Sequence, residues 1–261
     1  MDWRQKRKFT ILSVIVLVVA SISFSYYEKY KTIPTCFDNR QNGDEEGVDC
    51  GGSCIPCKYL ALQDVDVYWA KYLNPRKGSY DAVAYVKNPN LYYGSLKLNY
   101  EFELYDESNA LVAVRDGSTF IQPNESVTII EPDLRTSLPV RTVNFKIMAS
   151  DWTLVRDQLP VYDISLVRRN YSVVANVRGV KQSVVSADIF NNTLETISRA
   201  NVSILLFDKD RNIIGAGRTI VESLKPGETR GISFSWPEEI RGTVDSIEGH
   251  VRVNQLSRLP Q

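Results

Sequence analysis

From Phe9 to Tyr27 the chain runs nineteen residues without a charge, FTILSVIVLVVASISFSYY. Coiled as a helix, this run is about 28 Å long, close to the hydrocarbon thickness of a bilayer. A helix satisfies its own backbone groups, which the lipid interior demands. Arg4, Lys6, Arg7 and Lys8 precede the run, Trp3 lies before it, and Tyr26, Tyr27 and Tyr30 close it. Basic residues ahead of the span and aromatic residues at both ends predict an N-terminus held in the cytoplasm and a bulk that crosses to the other side. A cleaved signal peptide is the competing reading, but the apolar run is longer than a usual signal core, and the best small-residue pair, Ser21 and Ser23, is a weak cleavage site. A pilin-type start is set aside because Lys8 and Ser13 stand where Gly and Glu are needed. The expected divisions are a basic N-terminus at 1–8, a transmembrane helix at 9–27 and a juxtamembrane linker at 28–35.

Charge narrows the partners. Lys plus Arg and Asp plus Glu both number 31, so the net charge is zero. A nucleic-acid binder would carry a basic excess, so no nucleic-acid partner is expected. The expected contacts are the bilayer, through residues 9–27, and a surface or envelope protein.

All four cysteines fall within residues 36–57: Cys36, Cys50, Cys54 and Cys57. The segment's bulky apolar residues are Phe37, Val48 and Ile55, too few for a core, so a covalent or metal staple must hold it. Two disulfides suit an extracytoplasmic location, and four cysteines allow three pairings that sequence does not separate. A zinc site has one Cys-x-x-Cys half but no second half of the usual form. Calcium is the remaining staple. Asp38, Asn42 and Asp49 fall at positions 1, 5 and 12 of a calcium-loop pattern with Gly43 at the turn, and Asp44 adds a carboxylate. Arg40 occupies a ligand position, and Asp49 is shorter than the usual Glu. No other cofactor is expected.

The same segment resembles a short cysteine motif of microbial extracellular and cell-surface proteins, carried here by Cys36, Asp38, Asn42 to Glu45, Gly47 to Gly52, Cys54 and Cys57. The resemblance implies a surface location and no enzymatic activity.

Beyond residue 60 the pattern changes to strands. Leu96, Leu98, Tyr100, Phe102 and Leu104 alternate with Lys97, Asn99, Glu101 and Glu103, so one face is expected to be buried and one wet. Some 102 residues later, Ala200, Val202, Ile204 and Leu206 form a similar row. Both rows end at an acid, Asp106 or Asp208, followed by a polar turn. Second turns follow at Pro123-Asn124-Glu125-Ser126 and Pro226-Gly227-Glu228-Thr229. A repeat of this length is that of one β-sandwich, and the absence of cysteine from both copies leaves each to an apolar core. The expected domains are 60–155 and 158–258. A single larger barrel is the alternative.

The run Phe102 to Asp106 (FELYD), with Lys87-Asn88-Pro89-Asn90 before it, resembles FxLYD-type domains, small immunoglobulin-like sandwiches of secreted and membrane-attached microbial proteins. The second copy departs, with Leu206-Phe207-Asp208, yet its LKPGET turn fits. The resemblance implies an all-β chain of two tandem immunoglobulin-like β-sandwiches, acting as binding or spacer modules.

Catalytic signatures are sparse. The single His250 would have to serve any triad or His metal site, and no nucleophile-elbow, zinc-protease or phosphate-loop motif occurs. Eight of fourteen tyrosines lie between Tyr68 and Tyr105, and Tyr92-Tyr93 is the candidate contact pair. The expectation is a non-enzymatic, single-pass membrane protein serving adhesion, envelope scaffolding or protein binding. An extracytoplasmic hydrolase or a metal-responsive surface sensor is the alternative.

Overall fold

The computed structural model describes residues 3–30, 35–155, 159–175 and 179–258. Two compact units divide the chain, Met1–Leu60 and Ala61–Gln261.

The first unit carries helix α1, Trp3–Tyr30. It extends past the expected span at both ends, because no Gly or Pro interrupts the helical period. The stretch Trp3–Tyr27 is long and apolar enough to cross a membrane. Its apolar side chains face outward, Leu17 at 68% exposure among them, so it is not the core helix of a soluble fold. Of the expected linker 28–35, residues 31–34 lie outside the described residues.

The second unit is built from strands. Its first half contains β1 (Asp66–Arg76), β2 (Ser79–Lys87), β3 (Tyr93–Tyr105), β4 (Leu111–Ile121), β5 (Ser126–Arg135), β6 (Thr142–Ile147) and β7 (Asp151–Leu154). They form antiparallel sheets β1-β2-β5 and β4-β3-β6, with β7 against the start of β3. Its second half contains β8 (Ile164–Ala175), β9 (Lys181–Asn191), β10 (Ile197–Phe207), β11 (Ile213–Leu224), β12 (Thr229–Trp236) and β13 (Ser246–Arg252). These form sheets β8-β9-β12 and β11-β10-β13. The expected joint between the halves, 156–157, and residue 158, where the expected second domain starts, lie outside the described residues.

Each half encloses its own apolar core. Ala82, Ala84 and Val86 on β2 meet Leu98, Tyr100, Phe102 and Leu104 on β3. In the second half Val185 and Ile189 on β9 meet Val202, Ile204 and Leu206 on β10. A third cluster joins the halves: Val83 and Ile130 from the first pack with Leu205, Phe207 and Ala216 from the second. Strand β2 along most of its length, and β10 from Ile204 to Phe207, are therefore buried on both faces. That is why β10 shows only partial alternation in sequence, since Leu205 and Phe207 occupy positions that a half-wet strand would give to polar residues.

Two positions depart from the expected period. Leu96 is 42% exposed although it continues the apolar row, because a register irregularity between Ser95 and Leu98 turns Ser95 inward in its place. Glu103, expected on the wet face, is covered. Its carboxylate accepts hydrogen bonds from Tyr105 and Asn144 and pairs with Lys146.

The loop chemistry of the two halves matches. Asn88 is fully buried, and its amide donates to the carbonyls of Tyr93 and Gln122 while its Oδ1 accepts from Asn90. Asn191 is also fully buried, donates to the carbonyls of Glu195 and Leu224, and accepts from Thr193. Each ties the strand that it ends to the next loop and to the close of the following hairpin. Asp106 Oδ1 accepts from the N–H groups of Ser108 and Ala110, and Asp208 Oδ1 from those of Asp210 and Asn212. Asn90 additionally clasps Gln63 through both its amide groups, fixing the chain as it enters the unit.

Replacing Asn191 by Ala strands two buried carbonyls. The expected loss is roughly 2–4 kcal/mol of unfolding free energy, and Asn88→Ala should cost a similar amount. Denaturant unfolding followed by tryptophan fluorescence checks both; a loss below the scatter of surface substitutions would remove the clasp from the account.

Candidate functional site

Tyr100 starts in the first apolar core and ends at a cleft between the two halves. Its ring lies against Gly117 on β4, where a Cβ would stand 2.4 Å from the ring, so only glycine admits it. The phenol donates to Glu131 Oε1 on β5 at 2.7 Å. Glu131 Oε2 accepts from Arg218 on β11 at 3.1 Å. Burial, reinforced by the Glu131 carboxylate, pushes the Tyr100 phenol well above its ordinary range, so it stays protonated and remains a donor.

A second ion pair closes the cleft. Arg252 on β13 holds Glu125 through Nε and Nη2, at 2.6 and 2.9 Å, and its Nη2 also reaches the Phe120 carbonyl. The guanidinium lies 4.2 Å from the centroid of the Phe120 ring. Both members of this pair are largely buried. The cavity between the halves is about 580 Å³, and Arg199, Arg218 and Arg252 all line it, with Thr128, Asn201, Ser203 and Thr219. Arg252 is occupied with Glu125. Arg218 commits one Nη to Glu131, and among the described residues Arg199 is exposed and has no ion-pair partner.

Beside the cleft, three rings gather on sheet β1-β2-β5. Tyr68 and Tyr85 stack with centroids 5.6 Å apart, and Trp69 and Tyr85 with centroids 5.8 Å apart. Tyr68 is 57% exposed. The expected contact pair is elsewhere. Tyr92 and Tyr93 are half-buried at the start of β3, where their carbonyls accept from Val155 and Asn88. Tyr80 and Tyr100 of the tyrosine-rich stretch belong to the core, and Tyr105 is half-buried with its hydroxyl donating to Glu103.

At the far end of β2, Asp81 is buried and Asp133 lies beside it in a left-handed bulge, its N–H donating to Asp81 Oδ1. Burial raises the Asp81 carboxyl to about 6. Hydrogen bonds from Arg135 and Ser79 hold Asp133 down at about 2. His250 lies exposed on β13, opposite Ser203.

In the first unit, disulfides join Cys36 to Cys54 and Cys50 to Cys57. The acids between them bind the segment's own chain. Asp49 accepts from the N–H groups of Asp38 and Asn39, and Asp44 from the N–H and hydroxyl of Ser53. The Ser53 bonds lower the Asp44 carboxyl. Asn42 donates to Asp38 Oδ2 at 2.7 Å. Gly52 has a φ of 57° and passes so close to the Asp44 carbonyl that a Cβ would overlap it. Of the candidate calcium ligands, Asp38 and Asn42 thus meet, whereas Asp49 accepts from backbone N–H groups and Asp44 from the N–H and hydroxyl of Ser53. Among the described residues, the group of metal-type side chains that converges is Cys36, Glu45 and Cys54, and its two sulfurs form one disulfide with no thiolate to offer.

The cleft arginines gave no sequence signal of their own. A charged residue interrupting an apolar strand, as Arg218 does between Gly217 and Ile220, is the one mark they leave. No protein-family model matches the chain, and no curated protein matches it.

Two outcomes follow from these geometries. Reduction under native conditions should open residues 36–57 to protease while 61–258 stays resistant, read by mass spectrometry of the fragments; continued protection of 36–57 would mean that its own packing suffices. Folded Asp81 keeps its proton to higher pH than the unfolded chain does, so the native state binds more protons between about pH 4 and 6 and loses stability as pH rises through that window. Asp81→Asn should therefore gain on the native protein across the window, by about 3 kcal/mol at about 1.4 kcal/mol per pH unit, in unfolding series at pH 4 and pH 7. An unchanged difference at the two pH values would refute the assignment.

Proposed function

We propose that the chain is a single-pass membrane protein whose N-terminus stays in the cytoplasm and whose β-rich part stands outside as a non-catalytic binding module, serving adhesion or envelope scaffolding. The observation that carries this reading is the apolar helix Trp3–Tyr27, with its side chains outward and four basic residues in its first turns. The two disulfides add to it, since such bonds persist in oxidising surroundings.

Within the β-rich part we read two tandem immunoglobulin-like sandwiches of the FxLYD type. Several features support this. The sheet order β1-β2-β5 over β4-β3-β6 returns as β8-β9-β12 over β11-β10-β13. Asn88 and Asn191, Asp106 and Asp208, and Glu125 and Glu228 occupy the same turns and make the same bonds, the two glutamates accepting from the N–H groups of Gln122 and Lys225. A lattice of hydrogen-bonded turns around two apolar cores leaves binding surfaces on strands and loops rather than an enclosed reaction chamber.

Protease treatment of intact cells with a reductant present, which opens residues 36–57, followed by alkaline carbonate extraction, tests the reading. The expected result is removal of residues 61–258 from outside and retention of residues 9–27 in the membrane fraction. A chain that is cleaved only after lysis, or that leaves the membrane at alkaline pH, would overturn it.

A further inference from the structure

We propose that Asn124 and Asn170 are acceptor sites for Asn-linked glycans, with a lipid-linked oligosaccharide as the donor class. The proposal rests on the reading of the β-rich part as standing outside the cytoplasm, the side on which surface glycans are carried.

Four Asn-x-Ser/Thr signals occur, at Asn124, Asn170, Asn191 and Asn201. A transferase must reach both the Asn amide and the hydroxyl two residues on, and the fold separates the four on that criterion. Asn191 is fully buried, and its amide donates to the carbonyls of Glu195 and Leu224. The Thr193 hydroxyl turns back on Asn191 Oδ1 and the Glu195 carbonyl. A sugar there has no room. Asn201 and Ser203 line the cleft, on a strand paired by β11 on one side and β13 on the other. Asn124 and Asn170 are exposed, and among the described residues neither side-chain amide has a hydrogen-bond partner.

Local geometry presents each acceptor together with its hydroxyl. Asn170 is on β8, which pairs with β9 alone and so forms a sheet edge. Tyr171 turns inward to the second core, its hydroxyl meeting Ser183, so Asn170 and Ser172 share the outer face. Beside Asn170 across the sheet stand Ser186 and then Ser233, both exposed and short, which leaves space over the face for a sugar. Strand β8 also exposes Val167, Val173 and Val174, and a glycan in its middle blunts an edge that another chain could pair with. Asn124 lies in the turn between β4 and β5 with a φ of 54°, where Gly227 has a φ of 69° in the second half. Its peptide N–H is fixed by the Asn90 carbonyl, and the intervening Glu125 is drawn to Arg252, so the side chains of Asn124 and Ser126 stay in solvent. In the transfer, Asn Nδ2 bonds to the anomeric carbon of the sugar while the bond from that carbon to the lipid phosphate breaks. The phosphate leaves with the electron pair, and the amide gives one proton to the transferase.

The test is peptide mass spectrometry of the full chain purified from the membranes of its own cells. The expected result is a glycan on Asn124 and on Asn170, with the peptides of Asn191 and Asn201 bare. Ser126→Ala and Ser172→Ala, which trim side chains outside both cores, should each abolish the glycan at their own site and leave the other in place. A bare peptide at Asn124 or Asn170, a glycan on Asn191 or Asn201, or a glycan that survives its serine variant would overturn the proposal. Where protease digestion of intact cells finds the β-rich part outside, that failure leaves the anchored module standing. A β-rich part protected inside removes both.

Discussion

Val83 on β2 and Leu205 on β10 share the apolar contact between the halves while their neighbours fill the two cores, and much else in the molecule is arranged around that contact. Inward from β2 are Ala82, Ala84 and Val86, and outward is Val83 against the second half. Inward from β10 are Ile204 and Leu206, and outward are Leu205 and Phe207. At these positions a slip of one residue would exchange one apolar side chain for another, so the side-chain period sets the register there only weakly. The turns supply the missing constraint. Asn88, Asn191, Asp106 and Asp208 each lock a loop by backbone hydrogen bonds that one register satisfies.

The apolar contact between the halves is flanked by Glu131 with Arg218 and Glu125 with Arg252. Pairs of this kind add little net stability, but each is costly to break once its partner is buried. They fix orientation, and the cleft owes its shape to them. Tyr100 extends this logic into the first core, since its hydroxyl completes the Glu131 coordination from within.

How much of this was legible in the sequence depended on the range of the interaction. The apolar helix follows from nineteen uncharged residues, a local fact. The turns at Asp106 and Asp208 were legible because an Asp accepts from amides two and four residues on, again locally. The rows on β3 and β10 were legible as far as alternation held, and failed at Leu96, where a bulge resets the faces, and at Glu103, where neighbouring strands supply Lys146 and Asn144. The cysteine pairing was closed to sequence because four cysteines permit three pairings. The cleft was closed as well, because it joins residues 100–131 to residues 199–254, and nothing in either stretch announces the other. Tyr92 and Tyr93 drew notice as an adjacent pair, whereas Tyr68 and Tyr85 are brought together only by strand pairing.

The bond between Cys36 and Cys54 also decides what happens when the chain is pulled. Load entering at Cys36 leaves at Cys54 through sulfur, and the residues between them carry none of it. With Cys50 still bonded to Cys57, the chain that this bond bypasses is the 14 residues from Cys36 to Cys50 (50 − 36), roughly 50 Å at about 3.5 Å per residue. In the oxidised protein that length is withheld, so the segment transmits force as a short, inextensible tether; cutting one covalent bond would turn it into a slack one.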